Sequence, residues 1–372
     1  MTRSRSALRY IRPRATAFGV VAVLTVGGCA TSNETATSSA KAGAADAGKC
    51  DVTKEGDVKS SGLEAPPTKK TGTLKIGFSP TAMDTYYKRV LAGVQEGIDS
   101  AGGKSKIKLD VQAPSSQSAT DDQVRSVEAW ISQGYDAIAV ALYNENALEP
   151  LFKKASAKGI PIFTFNSPVV CSPYYVSNIG YDQSEGGRAQ AQWIVDHYKN
   201  KGTVKIAMLE GLPGPHTSER LRGFNAVLSK YPDLKVVTSQ PAGWTRAQGL
   251  SVTENILTAH PDIDILVALY DEMALGGLEA IKARGLTGDI AVVGYENMSE
   301  ANAAIKKGDF AATVDTGAKQ EGRNIISTIE KYVAQGERVP RTVFDKVTVY
   351  DKTNIDSFDP DDYGYVPPAK KK

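Results

Sequence analysis

The chain has 372 residues, with 41% hydrophobic and 23% charged side chains and a formal net charge of +2. This balance excludes a disordered chain, a collagen-like chain and a multi-span membrane protein, and the length suits two domains of ordinary size. Five arginines (Arg3, Arg5, Arg9, Arg12, Arg14) and no acid lie within residues 1–28, so the rest carries 39 bases against 42 acids, which argues against electrostatic binding of nucleic acid.

In chain order, the arginines lead into an apolar run, 17–26, too short to span a bilayer, and then into small residues. That is the pattern of an export signal over residues 1–28. Val26-Gly27-Gly28-Cys29 resembles a bacterial lipobox, so Cys29 is expected to be lipidated as the mature amino terminus of a protein held outside the cytoplasm on the cell membrane. Residues 29–72 are rich in Ala, Ser, Thr, Gly and Lys, lack hydrophobic periodicity, and read as a flexible tether. In an oxidising compartment, one disulfide between Cys50 and Cys171 is the simplest account of the remaining cysteines; two unpaired thiols are the alternative.

From residue 74 onward, short β-branched runs alternate with helical patterns. Strands are predicted at 74–79, 107–112, 137–142, 161–165, 204–209, 235–239, 263–269, 290–294 and 310–314. Helices fall near 86–100, 121–133, 147–158, 184–199, 216–230, 247–259, 272–284 and 299–306, with Gly or Pro at many boundaries. Such alternation implies right-handed βαβ crossovers and parallel sheets covered by helices on both faces. The series falls into two similar halves, so the predicted class is α/β with two doubly wound parallel-sheet domains.

In such sheets ligands sit outside the carboxyl ends of the strands. Asp84, Tyr86 and Tyr87 follow the first predicted strand, Asn166 and Ser167 the fourth, and Glu210, His216 and Arg220 the fifth. Further along come Trp244, then Tyr270-Asp271, then Tyr295-Glu296-Asn297, and finally Asp315-Thr316. This mixture suits a sugar, whose C–H faces pack on aromatic rings while its hydroxyls need planar donors and acceptors. Tyr86 and Tyr87 are adjacent at a helix start and cannot both face a cleft squarely; Tyr86 is taken as the platform, with its neighbour packing beneath. Asp271 could equally be a helix cap, and His216 a solvated turn residue.

Several stretches carry a family resemblance: Arg220-x-x-Gly223-Phe224, Ser239-Gln240-Pro241-Ala242 before Trp244, Leu257-Thr258-Ala259-His260-Pro261-Asp262, Asp271-Glu272-Met273-Ala274-Leu275-Gly276, and Val292-Val293-Gly294-Tyr295-Glu296. Over about residues 73–350 the chain resembles periplasmic sugar-binding proteins of the ribose and glucose/galactose type. The resemblance implies two lobes, 73–180 with 317–343 and 181–316 with 344–352, joined by crossings near Gly180, Gly317 and Phe344 and followed by a polar tail, 353–372. It assigns Tyr86 and Trp244 to a ring-sandwiching pair and Arg220 to the ring oxygen and a hydroxyl. Asp84 and Asn166 look like the hexose branch. Glu296, Tyr270 and Thr316 replace the family's usual Asp, Asn and Asn or Gln, enlarging or reshaping one side of the site. The implied function is capture of a monosaccharide, hexose favoured and pentose or polyol left open, by a monomer that delivers it to an ABC permease; a sugar or polyol sensor domain signalling to a membrane receptor is the alternative.

Signals for catalysis are poor, and no cofactor or metal is expected. His197, His216 and His260 are scattered without zinc-ligand spacing, and no phosphate loop or nucleophile elbow occurs. The run beginning Asp359-Pro360-Asp361 starts like a calcium loop, but Tyr363 stands at a ligand position.

Overall fold

A computed structural model describes residues 69–168 and 172–368. The export signal, Cys29, Cys50, Cys171 and almost all of the predicted tether lie outside the described residues.

The first sheet is built from β1 (Leu74–Ser79), β2 (Ile107–Val111), β3 (Ala137–Ala141), β4 (Ile162–Phe165), β5 (Ser177–Gly180) and, much later, β11 (Thr342–Phe344). Its order is β11-β5-β4-β3-β1-β2, all parallel. The second comprises β6 (Val204–Glu210), β7 (Leu234–Pro241), β8 (Ile265–Ala268), β9 (Ala291–Tyr295), β10 (Ala312–Asp315) and β12 (Thr348–Asp351). It repeats the order, β12-β10-β9-β8-β6-β7, with β12 antiparallel. Strands such as β3 and β8 are apolar throughout and fully buried, because helices cover both faces of a parallel sheet.

Nine α-helices connect these strands among the described residues: α1 (Thr85–Ser100), α2 (Thr120–Gln133), α3 (Glu145–Ala157), α4 (Gln183–Tyr198), α5 (Pro215–Leu228), α6 (Arg246–Ala259), α7 (Asp271–Ala283), α8 (Ser299–Lys307) and α9 (Ala318–Ile329). Three helix pairs meet at glycines. A Cβ on Gly93 of α1 would collide with the Lys319 carbonyl of α9, one on Gly223 of α5 with Ser184 of α4, and one on Gly249 of α6 with Met273 of α7. Close backbone approach therefore fixes each helix register, including that of α5, whose Arg220 lies one turn before Gly223.

The chain passes between the two sheets after β5, after β10 and after β11. Gly180 (φ +141°) and Gly317 (φ +72°) stand at the first two passages in backbone conformations that side-chain-bearing residues rarely adopt. Beyond the predicted elements, the structure adds β5, α9, β11 and β12, and it carries residues 353–368 as a packed segment with two short 3₁₀ turns, Ile355–Ser357 and Pro360–Tyr363.

Candidate functional site

Both sheets have their topological switch beside the first strand, between β1 and β3 and between β6 and β8. The loops at these carboxyl ends line a partly open cavity of about 420 Å³, its solvent-filled mouth included. From the first sheet come Thr81, Asp84, Tyr86 and Tyr87 after β1, Gln117 after β2, Tyr143 after β3 and Asn166 after β4. The second sheet supplies His216 and Arg220 on α5, Trp244 after β7, Tyr270 after β8 and Glu296 after β9.

The local backbone is shaped to present these groups. Among the described residues, the non-glycine positions with positive φ are Asn166 (+40°), Trp244 (+65°), Glu296 (+98°) and Asn297 (+46°). Three of them line the cavity. Such conformations cost on the order of 1–3 kcal/mol each and persist where surrounding structure enforces them, which is characteristic of binding sites. Asp84 closes the start of α1 by accepting from the Tyr87 amide (3.0 Å) while facing the cavity. Gly211 is needed because the Trp244 indole lies where its Cβ would be.

Polar groups form one chain across both lobes. Tyr87 Oη accepts from Asn166 Nδ2 (3.0 Å), and Asn166 Oδ1 accepts from Gln183 Nε2 (3.0 Å). Gln183 Oε1 accepts from Arg220 Nε (2.8 Å), and Arg220 Nη2 reaches Glu296 Oε1 (3.0 Å). Thr316 Oγ1 donates to the other Glu296 oxygen (2.6 Å). Arg220 also donates to the Leu269 carbonyl (2.5 Å) and lies 4.1 Å from the centre of the Tyr295 ring and 5.5 Å from that of Trp244. Burial raises the Glu296 carboxyl and Arg220 opposes that rise. Desolvation likewise lifts Asp84 to about 6, and with help from Arg220 it lowers His216 to about 4, so the imidazole is neutral near pH 7. Its Nε2 stands 2.6 Å from the Asn166 carbonyl, and a neutral ring there donates across the cavity.

Of the candidate ligand residues, Asp84, Tyr86, Asn166, Arg220, Trp244, Tyr270 and Glu296 therefore share one cavity. Asp271 and Thr316 do not line it. Asp271 is fully buried, accepting from the amides of Tyr295 (2.7 Å) and Met298 (2.8 Å) and from Thr313 Oγ1 (2.9 Å), and so ties β9 and β10 to α7. Thr316 supports Glu296 from behind. Tyr87 was expected beneath Tyr86 but also reaches the cavity: the rings meet edge to face at 5.2 Å, and Tyr86 Oη donates backwards to Glu321 Oε2 (2.8 Å). Thr81, Gln117 and Tyr143 were not anticipated, although each follows a strand of the first sheet and the strand-end rule covers them.

The cavity thus offers aromatic walls, several neutral donors and acceptors, the Asp84 carboxyl, and an arginine whose charge is balanced by Glu296. It suits a small, hydroxyl-rich molecule.

Comparison with known proteins gives a consistent placement. The chain is 33% identical to the ribose import binding protein of Bacillus subtilis, across 72% of this chain and 84% of that protein. It is also 33% identical to a xylitol-binding protein of Mycolicibacterium smegmatis, across 65% and 71% of the two chains. Among solved structures, an ABC transporter periplasmic solute-binding protein of Actinobacillus succinogenes with bound D-allose superposes with a TM-score of 0.71 at 29% identity, covering 77% of this chain and all of that one. The periplasmic binding protein domain model matches residues 76–338, and the chain belongs to that family.

Proposed function

We propose that this chain is an extracytoplasmic solute-binding lipoprotein, anchored through Cys29, that captures a monosaccharide between its lobes and delivers it to an ABC permease. It binds and does not transform its ligand. The observation that carries this reading is the cavity between two sets of strand ends, lined by Tyr86, Trp244 and Tyr270 and by the Arg220–Glu296 pair. Ligand contacts from both lobes favour the closed arrangement selectively, which shifts the population toward it by hinge closure. The relatives named for ribose and xylitol support sugar or polyol as the ligand class.

A hexose is favoured on Asp84 and Asn166. A pentose or pentitol is the second reading, favoured by those two relatives and by the bulky Tyr270 and Glu296, which occupy space that smaller residues would leave open. Calorimetric titration of the protein with D-glucose, D-galactose, D-allose, D-ribose and xylitol separates the two. Micromolar or tighter binding of a six-carbon sugar supports the first, preference for a five-carbon compound supports the second, and heat from none of them overturns the sugar assignment.

A further inference from the structure

The segment after β12 is anchored on both lobes. Ile355 and Phe358 are buried on the second lobe, with Phe358 edge-on to Tyr350 of β12 (5.5 Å). The chain then crosses to the first lobe. The Asp361 carbonyl accepts from Lys319 Nζ (2.6 Å), the Asp362 carbonyl from Arg89 Nε (3.4 Å), and Glu96 Oε1 from the Val366 amide (3.0 Å). Tyr365 donates to Asp99, and the Asp362 carboxylate stands 3.5 Å from Arg323.

Arg89 is the centre of this arrangement. It projects from α1 of the first lobe, is only 3% exposed, and donates through Nη1 to the Glu296 carbonyl (2.6 Å) of the second lobe. Asp315 lies 3.8 Å from its Nη2, and the Tyr363 ring centre is 5.2 Å from its guanidinium carbon. It therefore bridges the lobes from outside the cavity, gripping the backbone of a cavity residue held at positive φ, while residues 359–366 cover it.

We propose that Arg89 and residues 359–366 form a clasp that favours lobe closure before any ligand enters, and that this clasp sets ligand affinity and release rate. The proposal rests on the reading that the lobes close on a ligand. Apparent affinity scales with the fraction of protein already competent to bind, so a contact made only in the closed form tightens binding without touching the ligand. Arg89 is thus a positioning residue.

Small-angle X-ray scattering of the ligand-free full chain, of Arg89→Ala and of a chain ending at Phe358 tests this directly, alongside titrations with D-ribose, D-allose and xylitol. Both variants are expected to show a larger radius of gyration without ligand, and about tenfold weaker binding with faster dissociation of whichever compound the unaltered chain takes. Tyr363→Ala, which removes only the ring against Arg89, is expected to shift both quantities in the same direction by about threefold in affinity, and it decides the matter should the other variants misfold. An unchanged radius of gyration with dissociation constants within twofold overturns the clasp, as does a lowered melting temperature unaccompanied by lobe opening. If none of the three compounds binds the unaltered chain, the sugar reading loses support while the ligand-free scattering still decides the clasp.

Discussion

Arg220 Nη2 and Glu296 Oε1 are 3.0 Å apart with side chains only 5% and 3% exposed, so the cavity is lined by an ion pair that water hardly reaches. Such a pair contributes little net stability, yet removing one partner leaves a buried charge uncompensated, at about 3–5 kcal/mol. Arg220→Ala and Glu296→Ala are each expected to lose that much in urea unfolding. The double variant Arg220→Ala/Glu296→Ala should lose less than the sum of the two single losses, though more than nothing, because Gln183, Tyr181 and the Leu269 carbonyl also lose their donor. Strictly additive losses in the double variant would contradict a direct coupling.

Tyr270 offers a contrasting case. Its hydroxyl is buried at the cavity wall near the Tyr86 amide, yet it makes no hydrogen bond of acceptable geometry. A ligand hydroxyl is its natural partner. Tyr270→Phe is therefore expected to leave the ligand-free melting temperature unchanged or slightly raised, since an unsatisfied polar atom is removed. It should weaken binding by about 1–3 kcal/mol for a ligand carrying the matching hydroxyl. Calorimetry comparing a sugar with its deoxy analogues locates that hydroxyl, because the deoxy form should bind both proteins alike.

The difference between Tyr270 and Asp271 marks where the sequence stops being informative. Both follow β8, and position alone nominates both. Only the three-dimensional path shows that Asp271 turns inward to amides that lie 24 and 27 residues away. Strands β3 and β8 were legible because a buried parallel strand must be apolar, whereas Arg220 and Trp244 were nominated by their strand-end positions together with the family resemblance. Strand β5 was not: Ser-Asn-Ile-Gly has no apolar pattern, and it is placed by pairing with β4 and β11 and by α9 packing against it. Helix α9 was hidden for the same reason. Lys319 and Glu321 look like surface charges, yet they are 2% and 0% exposed, held by Glu96 and Tyr86 from more than 200 residues away.

Trp244 rests on a glycine, which separates shape from chemistry. Trp244→Ala removes an aromatic wall and is expected to weaken ligand binding about thirtyfold, the ~2 kcal/mol of a buried aromatic anchor. Gly211→Ala leaves every polar group in place but puts a methyl where the indole lies. A loss of about tenfold is expected, together with a shifted tryptophan emission. Binding by Gly211→Ala equal to that of the unaltered protein would mean the indole has room to move and does not define the wall.

The pH dependence of stability isolates Asp84. Burial raises its carboxyl from 3.8 to about 6, against hydrogen bonds from the Tyr87 amide and Gln117 that favour the ionised form. A carboxyl that holds its proton more tightly folded than unfolded contributes most below about 4, and that contribution is lost as pH rises through about 6. Asp84→Asn keeps a side-chain oxygen for the α1 cap and cannot ionise. The unfolding free energy of the unaltered protein minus that of Asp84→Asn should therefore fall between pH 4 and 6 and stay level from 7 to 8. Because Asp345, also lifted by burial to about 6, and Asp271, lifted to about 8, titrate identically in both proteins, the subtraction leaves Asp84 alone. Urea unfolding at half-unit pH intervals supplies the two curves. A difference that is flat across the acid range would mean the carboxylate stays hydrated at the cavity wall.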